Sequence, residues 1–393
     1  MERLWTKPFV LMTSGMLFLF TGFYLLVPTL PIYIKQLGGN ESQVGLLIGL
    51  FTLTAVVFRP VVGGLLDRYG RRPFILWGLV GFAVSMLLYE WAAGLFFLAA
   101  LRVLHGFSWA LSTTAVGTAI TDIIPPARRG EGMGWYGLAM TVAMAIGPLL
   151  GIWLIGEHSF RVLFYFAVVL SAIALALAYA TRIPFERRAE RGKMQLFEPS
   201  VLSVSVAVFF LAIAYGGITT FLPLFAESIR VNAGTFFLVY AIALTLIRPV
   251  AGKLSDRLGE AFILLPSLLV TAGALLVLAF STGLTGVVVS AVLYGIGFGS
   301  AQPALQAATL RLAPPDRKGV ANASFFTAFD LGIGLGAIGL GWISQRTGYP
   351  ELFAVAAGSV VVSLLVFFFQ VRRLLHRPER EPVVRIAGKD RQA

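Results

Sequence analysis

The chain has no cysteine and only three histidines. Without thiols there are no disulfides, no thiol nucleophile and no Cys-ligated metal. His105, His158 and His376 are not spaced as a ligand set, and no serine has a recognisable base beside it, so a membrane-embedded enzyme finds little support. No metal and no cofactor are expected. Charge is scarce as well: 13% of the 393 residues are charged against 58% hydrophobic, whereas a soluble domain carries about 25% charged residues. That excludes a water-soluble globule. Basic residues outnumber acidic ones, 31 to 19, but they are dispersed over loops and form no single patch, so no nucleic-acid partner is expected.

What is present is apolar length. A helix crosses a hydrocarbon core of about 30 Å with roughly 20 residues. Runs of that length fall at 9–34, 43–66, 73–91, 94–120, 133–156, 159–181, 200–227, 234–255, 261–281, 284–309, 320–345 and 348–371. The expected fold class is therefore all-α: an integral membrane protein with twelve transmembrane helices. The first helix is longer than a signal-peptide core and lacks a small-residue cleavage pattern, so it is expected to remain. The charged stretch TRIPFERRAERGKMQLFE at 182–199 reads as a linker between six-helix bundles at 1–181 and 200–371, and 372–393 as a charged tail. Of the 31 Lys and Arg, only Lys35, Arg161, Arg230 and Arg346 fall on the side opposite the termini, with Arg59, Arg102 and Arg248 inside helices. The positive-inside bias then places both termini in the cytoplasm, the chain being multi-pass in the cytoplasmic membrane.

The chain also repeats itself. Arg59 to Phe164 lies over Arg248 to Phe353 without a gap, at a constant offset of 189 residues. RPVVGGLLDRYG at 59–70 meets RPVAGKLSDRLG at 248–259, and PPARRG at 125–130 meets PPDRKG at 314–319. Such a duplication predicts two pseudo-symmetric bundles about a pseudo-twofold axis, a layout in which many transporters bind cargo near the bilayer midplane.

Four motifs sharpen this. Between helices 2 and 3 lies Gly63-Gly64-Leu65-Leu66-Asp67-Arg68-Tyr69-Gly70-Arg71-Arg72, with a degenerate copy around Asp256. Helix 1 carries Gly22, Pro28 and Pro31; helix 4 carries Arg102-Val-Leu-His105-Gly106; helix 5 carries Gly147-Pro148-Leu-Leu-Gly151. Together they resemble the major facilitator superfamily, and within it the twelve-helix drug:proton antiporters. The departures are a histidine in place of the helix 4 glutamine, and Ala143 and Ile152 in place of two helix 5 glycines. The resemblance implies proton coupling by the helix 4 arginine, an exporter's helix 5, and a conformational switch involving Gly63, Asp67, Arg68, Gly70, Arg71, Gly147, Pro148, Gly151 and Asp256. Glycines there permit close helix approach, and proline lets the helix bend.

An ionised group at the bilayer centre costs several kcal/mol unless paired or wet. Arg102, His105 and Trp109 share one face of helix 4 and are expected to line the cavity; the matching positions Ala291, Tyr294 and Phe298 carry no charge. The alternative for Arg102 is a structural arginine bonded to carbonyl groups, and for His105 a packing imidazole. Asp330 is the one acid clearly at mid-membrane and matches Thr141. Burial disfavours its charged form, which suits a reversible proton carrier, while a permanently protonated aspartate is the alternative. Arg59 and Arg248 recur symmetrically, which favours gate or scaffold work. Tyr24, Tyr136, Tyr215, Tyr240, Gln302, Gln306 and Phe325 are candidate cavity-lining residues that could also serve packing.

One comparison of the halves predicts contacts. Arg71 aligns with Glu260 and Asp122 with Arg311, so both signs reverse together. That is expected if Arg71 pairs with Asp122 and Glu260 with Arg311, stabilising one conformation, outward-facing with the cytoplasmic side closed. The sequence thus reads as a monomeric, proton-coupled exporter of small amphipathic molecules. The alternatives are export of an anionic or zwitterionic metabolite such as a metallophore, favoured by the net positive interior and by the lack of an acid in helix 1, or import of small organic solutes.

Overall fold

The computed structural model describes residues 3–125, 128–181, 183, 197–314 and 317–375. Most of the expected linker and tail, and the side chains of Asp67 and Asp256, lie outside the described residues. The described chain forms twelve long apolar helices: α1 (Lys7–Gln36), α2 (Glu41–Tyr69), α3 (Arg72–Leu88), α4 (Leu95–Ile123), α5 (Arg129–Glu157), α6 (Phe160–Tyr179), α7 (Leu202–Ser228), α8 (Ala233–Leu258), α9 (Glu260–Ala279), α10 (Leu284–Leu312), α11 (Lys318–Thr347) and α12 (Tyr349–Val366). Each is long and apolar enough to cross a bilayer.

Their ends are set by ordinary capping chemistry. The Asn40 side chain accepts from the Gln43 backbone while the Gln43 side chain accepts from the Asn40 N–H, both at 2.9 Å, which satisfies two orphan donors at the start of α2. Thr6 and Ser159 cap α1 and α6. At the other end of α2 the chain turns at Gly70 with φ 86°, and the repeat does the same after α8 at Gly259 with φ 85°. These are left-handed conformations that glycine adopts without a Cβ penalty. The signature loop is thus duplicated in backbone geometry as well as in letters.

The packing follows the repeat. In the first half α1 lies against α5 and α6, α2 against α4, and α3 against α4 and α6; in the second, α7 meets α11 and α12, α8 meets α10, and α9 meets α10 and α12. The halves meet mainly along two seams, α2 with α11 and α5 with α8, which the repeat makes equivalent. The α2–α11 seam is the more extensive, and the sequence explains why. A Cβ on Gly49 would come within 2.5 Å of Ile338, and one on Gly341 within 2.6 Å of the Glu41 carbonyl; Gly45 and Gly334 are similarly pressed against α11 and α2. At the matching places in the other seam stand Leu238, Ile152, Gly234 and Ala145, so larger side chains hold α5 and α8 apart.

Candidate functional site

Arg59 and Arg248 each stand ten residues before the last residue of their helices, Tyr69 and Leu258, which puts them about 15 Å from the terminal side of the bundle at 1.5 Å per residue. Thr141 and Asp330 each stand twelve residues into α5 and α11. The pseudo-twofold axis brings them face to face. Arg59 Nη2 meets Asp330 Oδ2 at 2.7 Å across the α2–α11 seam, and Arg248 Nη1 donates to Thr141 Oγ1 across the α5–α8 seam. Two equivalent contacts therefore join the halves at mid-depth, one an ion pair and the other an arginine on a hydroxyl. Asp330, expected as a lone acid, is a paired one. Its side chain is mostly buried, 20% accessible.

Tyrosines surround this centre. Tyr24, Tyr215 and Tyr240 lie within electrostatic reach of Arg248, Tyr24 also of Asp330, and Tyr136 of Arg59. Tyr215 stacks on Phe298 at 4.8 Å, and Phe298 on Tyr294 at 5.4 Å, an aromatic wall that fixes the Tyr215 ring. The Tyr240 hydroxyl and Arg248 Nε are buried with no hydrogen-bond partner. The four tyrosines picked from sequence are thus divided over the two contacts, with Tyr24 within reach of both.

The helix 4 face is elsewhere. Arg102 is buried inside the first half: Nε donates to the Leu47 carbonyl at 3.0 Å and Nη2 to the Ile48 carbonyl at 3.4 Å, with the guanidinium 4.4 Å from the Phe51 ring centroid. Nη1 reaches the Tyr89 hydroxyl, which is 3.0 Å from His105 Nδ1. His105 is fully enclosed by Phe51, Phe82 and Tyr89, and Trp109 stacks on Phe23. The expectation that this face lines a cavity is corrected: rings from α1, α2 and α3 cover it, and the arginine's charge is spread over backbone carbonyls. In the second half Phe325 is fully buried beside Phe326. Gln306 Nε2 donates to Asn322 Oδ1 at 3.0 Å, so it ties α10 to α11, and Gln302 is half-buried on α10.

At the terminal side the two sign-reversed pairs are both formed, Arg71 with Asp122 at 3.0 Å and Arg311 with Glu260 at 2.7 Å. Each joins helices of one half. Arg71 also donates to the Leu66 carbonyl, gathering the turn at Gly70. Arg68 is exposed, beside the Tyr69 ring, and a Cβ on Gly63 would meet nothing within 4 Å. Gly147 and Gly151, with Pro148 between them, lie against Tyr24 and Leu25 of α1, so this motif seats α5 within its own half.

Contacts that sequence reasoning missed close the opposite end. Glu41 accepts from Lys35 at 2.8 Å and from the Tyr349 hydroxyl at 3.2 Å, the latter bridging the halves beside the Gly45 and Gly341 approach. The halves are in close contact there along α2 and α11. The two terminal-side pairs each join helices of one half rather than bridging the halves. The missed partners of Arg59 and Arg248 had a signal, since 59 with 330 and 248 with 141 are one pairing written twice at the offset of the repeat.

The family model described as Major Facilitator Superfamily matches residues 12–337 and 204–390. The chain is 27% identical to the staphylopine export protein of Staphylococcus aureus over 92% of this chain and 96% of that one. It is 26% identical to the multidrug resistance protein MdtG of Citrobacter koseri over 94% and 96%. A crystal structure of a POT family transporter in complex with 5-aminolevulinic acid superposes with TM-score 0.78 at 12% identity, covering 93% of this chain and 96% of that one.

Proposed function

Because this chain belongs to the major facilitator superfamily of membrane transporters, we propose that it is a proton-coupled exporter of small amphipathic molecules, working by alternating access in the cytoplasmic membrane with both termini inside. Relatives named for drug resistance and for staphylopine export, each matched over nearly its whole length, support export. The observation that carries proton coupling is the Arg59–Asp330 pair between the halves.

The chemistry is simple. With Asp330 ionised, the pair adds an electrostatic tie to the α2–α11 seam at mid-depth. A proton arriving on the carboxyl removes the charge that faces Arg59, and the seam loses that tie while its close helix contact nearer the far end remains. Protonation therefore biases which arrangement of the halves is lower in energy, and a ligand shifts the equilibrium only by its differential affinity for the two. One proton crossing about 100 mV supplies about 2.3 kcal/mol, and one pH unit about 1.4 kcal/mol more. Together they sustain a cargo gradient of several hundredfold.

The test is transport by inverted membrane vesicles under an imposed pH gradient. Asp330→Asn keeps the side chain's size but cannot release a proton, so it is expected to abolish uphill accumulation while leaving downhill exchange of cargo intact. Undiminished pH-driven accumulation by this variant would remove Asp330 from coupling.

A further inference from the structure

The pseudo-twofold axis sets Arg59 against Asp330 and, at the equivalent place, Arg248 against Thr141. The scaffold is duplicated and the acid is not. Arg59 keeps an unpartnered Nε, but its charge is met by a carboxylate at 2.7 Å. Arg248 has a neutral hydroxyl opposite it, an unpartnered and buried Nε, and no acidic partner among the described residues. A guanidinium away from bulk water is costly unless paired. Beside it the buried Tyr240 hydroxyl also lacks a partner, and Tyr24 and Tyr215 lie within reach. Two unpaired donors of α8 thus stand within electrostatic reach of each other, one of them on the arginine that meets the Thr141 hydroxyl of the other half, where the repeat has a carboxylate on the other seam.

We propose that Arg248 and Tyr240 receive a carboxylate of the cargo beside Thr141, which takes at the α5–α8 seam the place that Asp330 occupies at the α2–α11 seam. The planar guanidinium offers Nε and an Nη to the two carboxylate oxygens. Tyr240 supplies a further donor, while the Thr141 hydroxyl, whose hydrogen goes to the Gly137 carbonyl at 2.9 Å, gives up the guanidinium it now accepts from. The cargo thereby replaces the second tie between the halves, so its binding is felt by the same motion that Asp330 controls. The transported class is that of amphipathic carboxylates, zwitterions included, with the apolar part against the aromatic wall of Tyr215 and Phe298.

This rests on the centre being the cargo site, but it needs neither a gradient nor a direction of transport. Binding of phenylbutyrate, its amide and phenylbutylamine to the full chain in nanodiscs, measured by calorimetry and thermal shift, isolates the charge on one skeleton. The acid is expected to bind at least about tenfold tighter than the amide or the amine, as suits a charge-assisted contact. Arg248→Gln should erase that preference. Thr141→Asp should erase it too, by giving Arg248 an internal carboxylate, while the protein's own melting temperature holds or rises. If Thr141→Asp fails to fold, Arg248→Gln and Arg248→Lys decide, with lysine keeping charge but losing the fork and so retaining only part of the preference. An acid that binds no better than its amide, or not at all, or a preference that survives Arg248→Gln, overturns the proposal. Acid binding with no proton-driven transport would leave this site standing and sink the exporter reading; the converse result would do the opposite.

Discussion

Arg59 and Asp330 belong to different halves of a duplicated chain and meet at 2.7 Å, although each aligns with a residue, Arg248 and Thr141, that also meets its counterpart. One interaction geometry occurs twice with different chemistry. That makes the pair testable against its own internal control.

Reversing either charge, Arg59→Asp or Asp330→Arg, places like charges together in the seam and is expected to impair transport and shift the halves apart. The double swap should recover part of both. Because the chain has no cysteine, labels can be introduced at chosen helix ends, and distances between them report the populations. A double-mutant cycle on those populations should give a coupling of at least about 0.5 kcal/mol. A value within error of zero would show that the pair does not bias the motion.

The terminal-side pairs should behave differently. Arg71 with Asp122 and Arg311 with Glu260 each lie within one half, so Arg71→Asp and Asp122→Arg are expected to lower stability by on the order of 1 kcal/mol for a partly exposed pair. The double swap should restore it. Thermal unfolding in detergent checks this. A large change in the distance between the halves without loss of stability would contradict the assignment.

Arg102 now predicts a loss of folding stability more than of cargo recognition. Arg102→Ala removes the guanidinium's bonds to the Leu47 and Ile48 carbonyls, which keep their helix donors, and its packing on the Phe51 ring, and should cost about 1–3 kcal/mol. Arg102→Lys cannot span both carbonyls with a planar fork and should fall in between. Melting temperatures set beside cargo affinity decide; a variant of full stability with abolished binding would return Arg102 to the cargo site.

The glycine seam gives a fourth expectation. Gly49→Leu must push α11 away, since a Cβ there already comes within 2.5 Å of Ile338, and should depopulate the arrangement in which α2 and α11 are in close contact. Leu238→Gly, at the matching place on α8, should do little or favour that arrangement. Label distances between Glu41 and Tyr349 positions read the difference.

The fold was legible because its signals are local or duplicated: apolar length marks each helix, and an offset of 189 residues marks the two halves. The ion pairs of Arg71 and Glu260 were legible for a related reason, as two compensating sign changes at aligned positions imply contact. The helix 4 face was not. Spacing shows that Arg102, His105 and Trp109 share a face, but it cannot show that Phe51, Phe82 and Tyr89 arrive from other helices to cover it. The Arg59–Asp330 contact lay between these cases: neither residue's spacing discloses a partner on the other half, yet the alignment that matched 59 with 248 and 141 with 330 already held both ends of it.

The unequal seams make the machine lopsided. Where α2 and α11 touch backbone to backbone through Gly45, Gly49, Gly334 and Gly341, parting them exposes a long, closely fitted surface. Parting α5 from α8 disengages not facing backbones but side chains such as Ile152, whose Cγ2 stands 3.2 Å from where a Cβ on Gly234 would be. The proposed alternation would then be anchored along α2 and α11 and looser along α5 and α8, so that the two flanks on which the halves meet are not interchangeable.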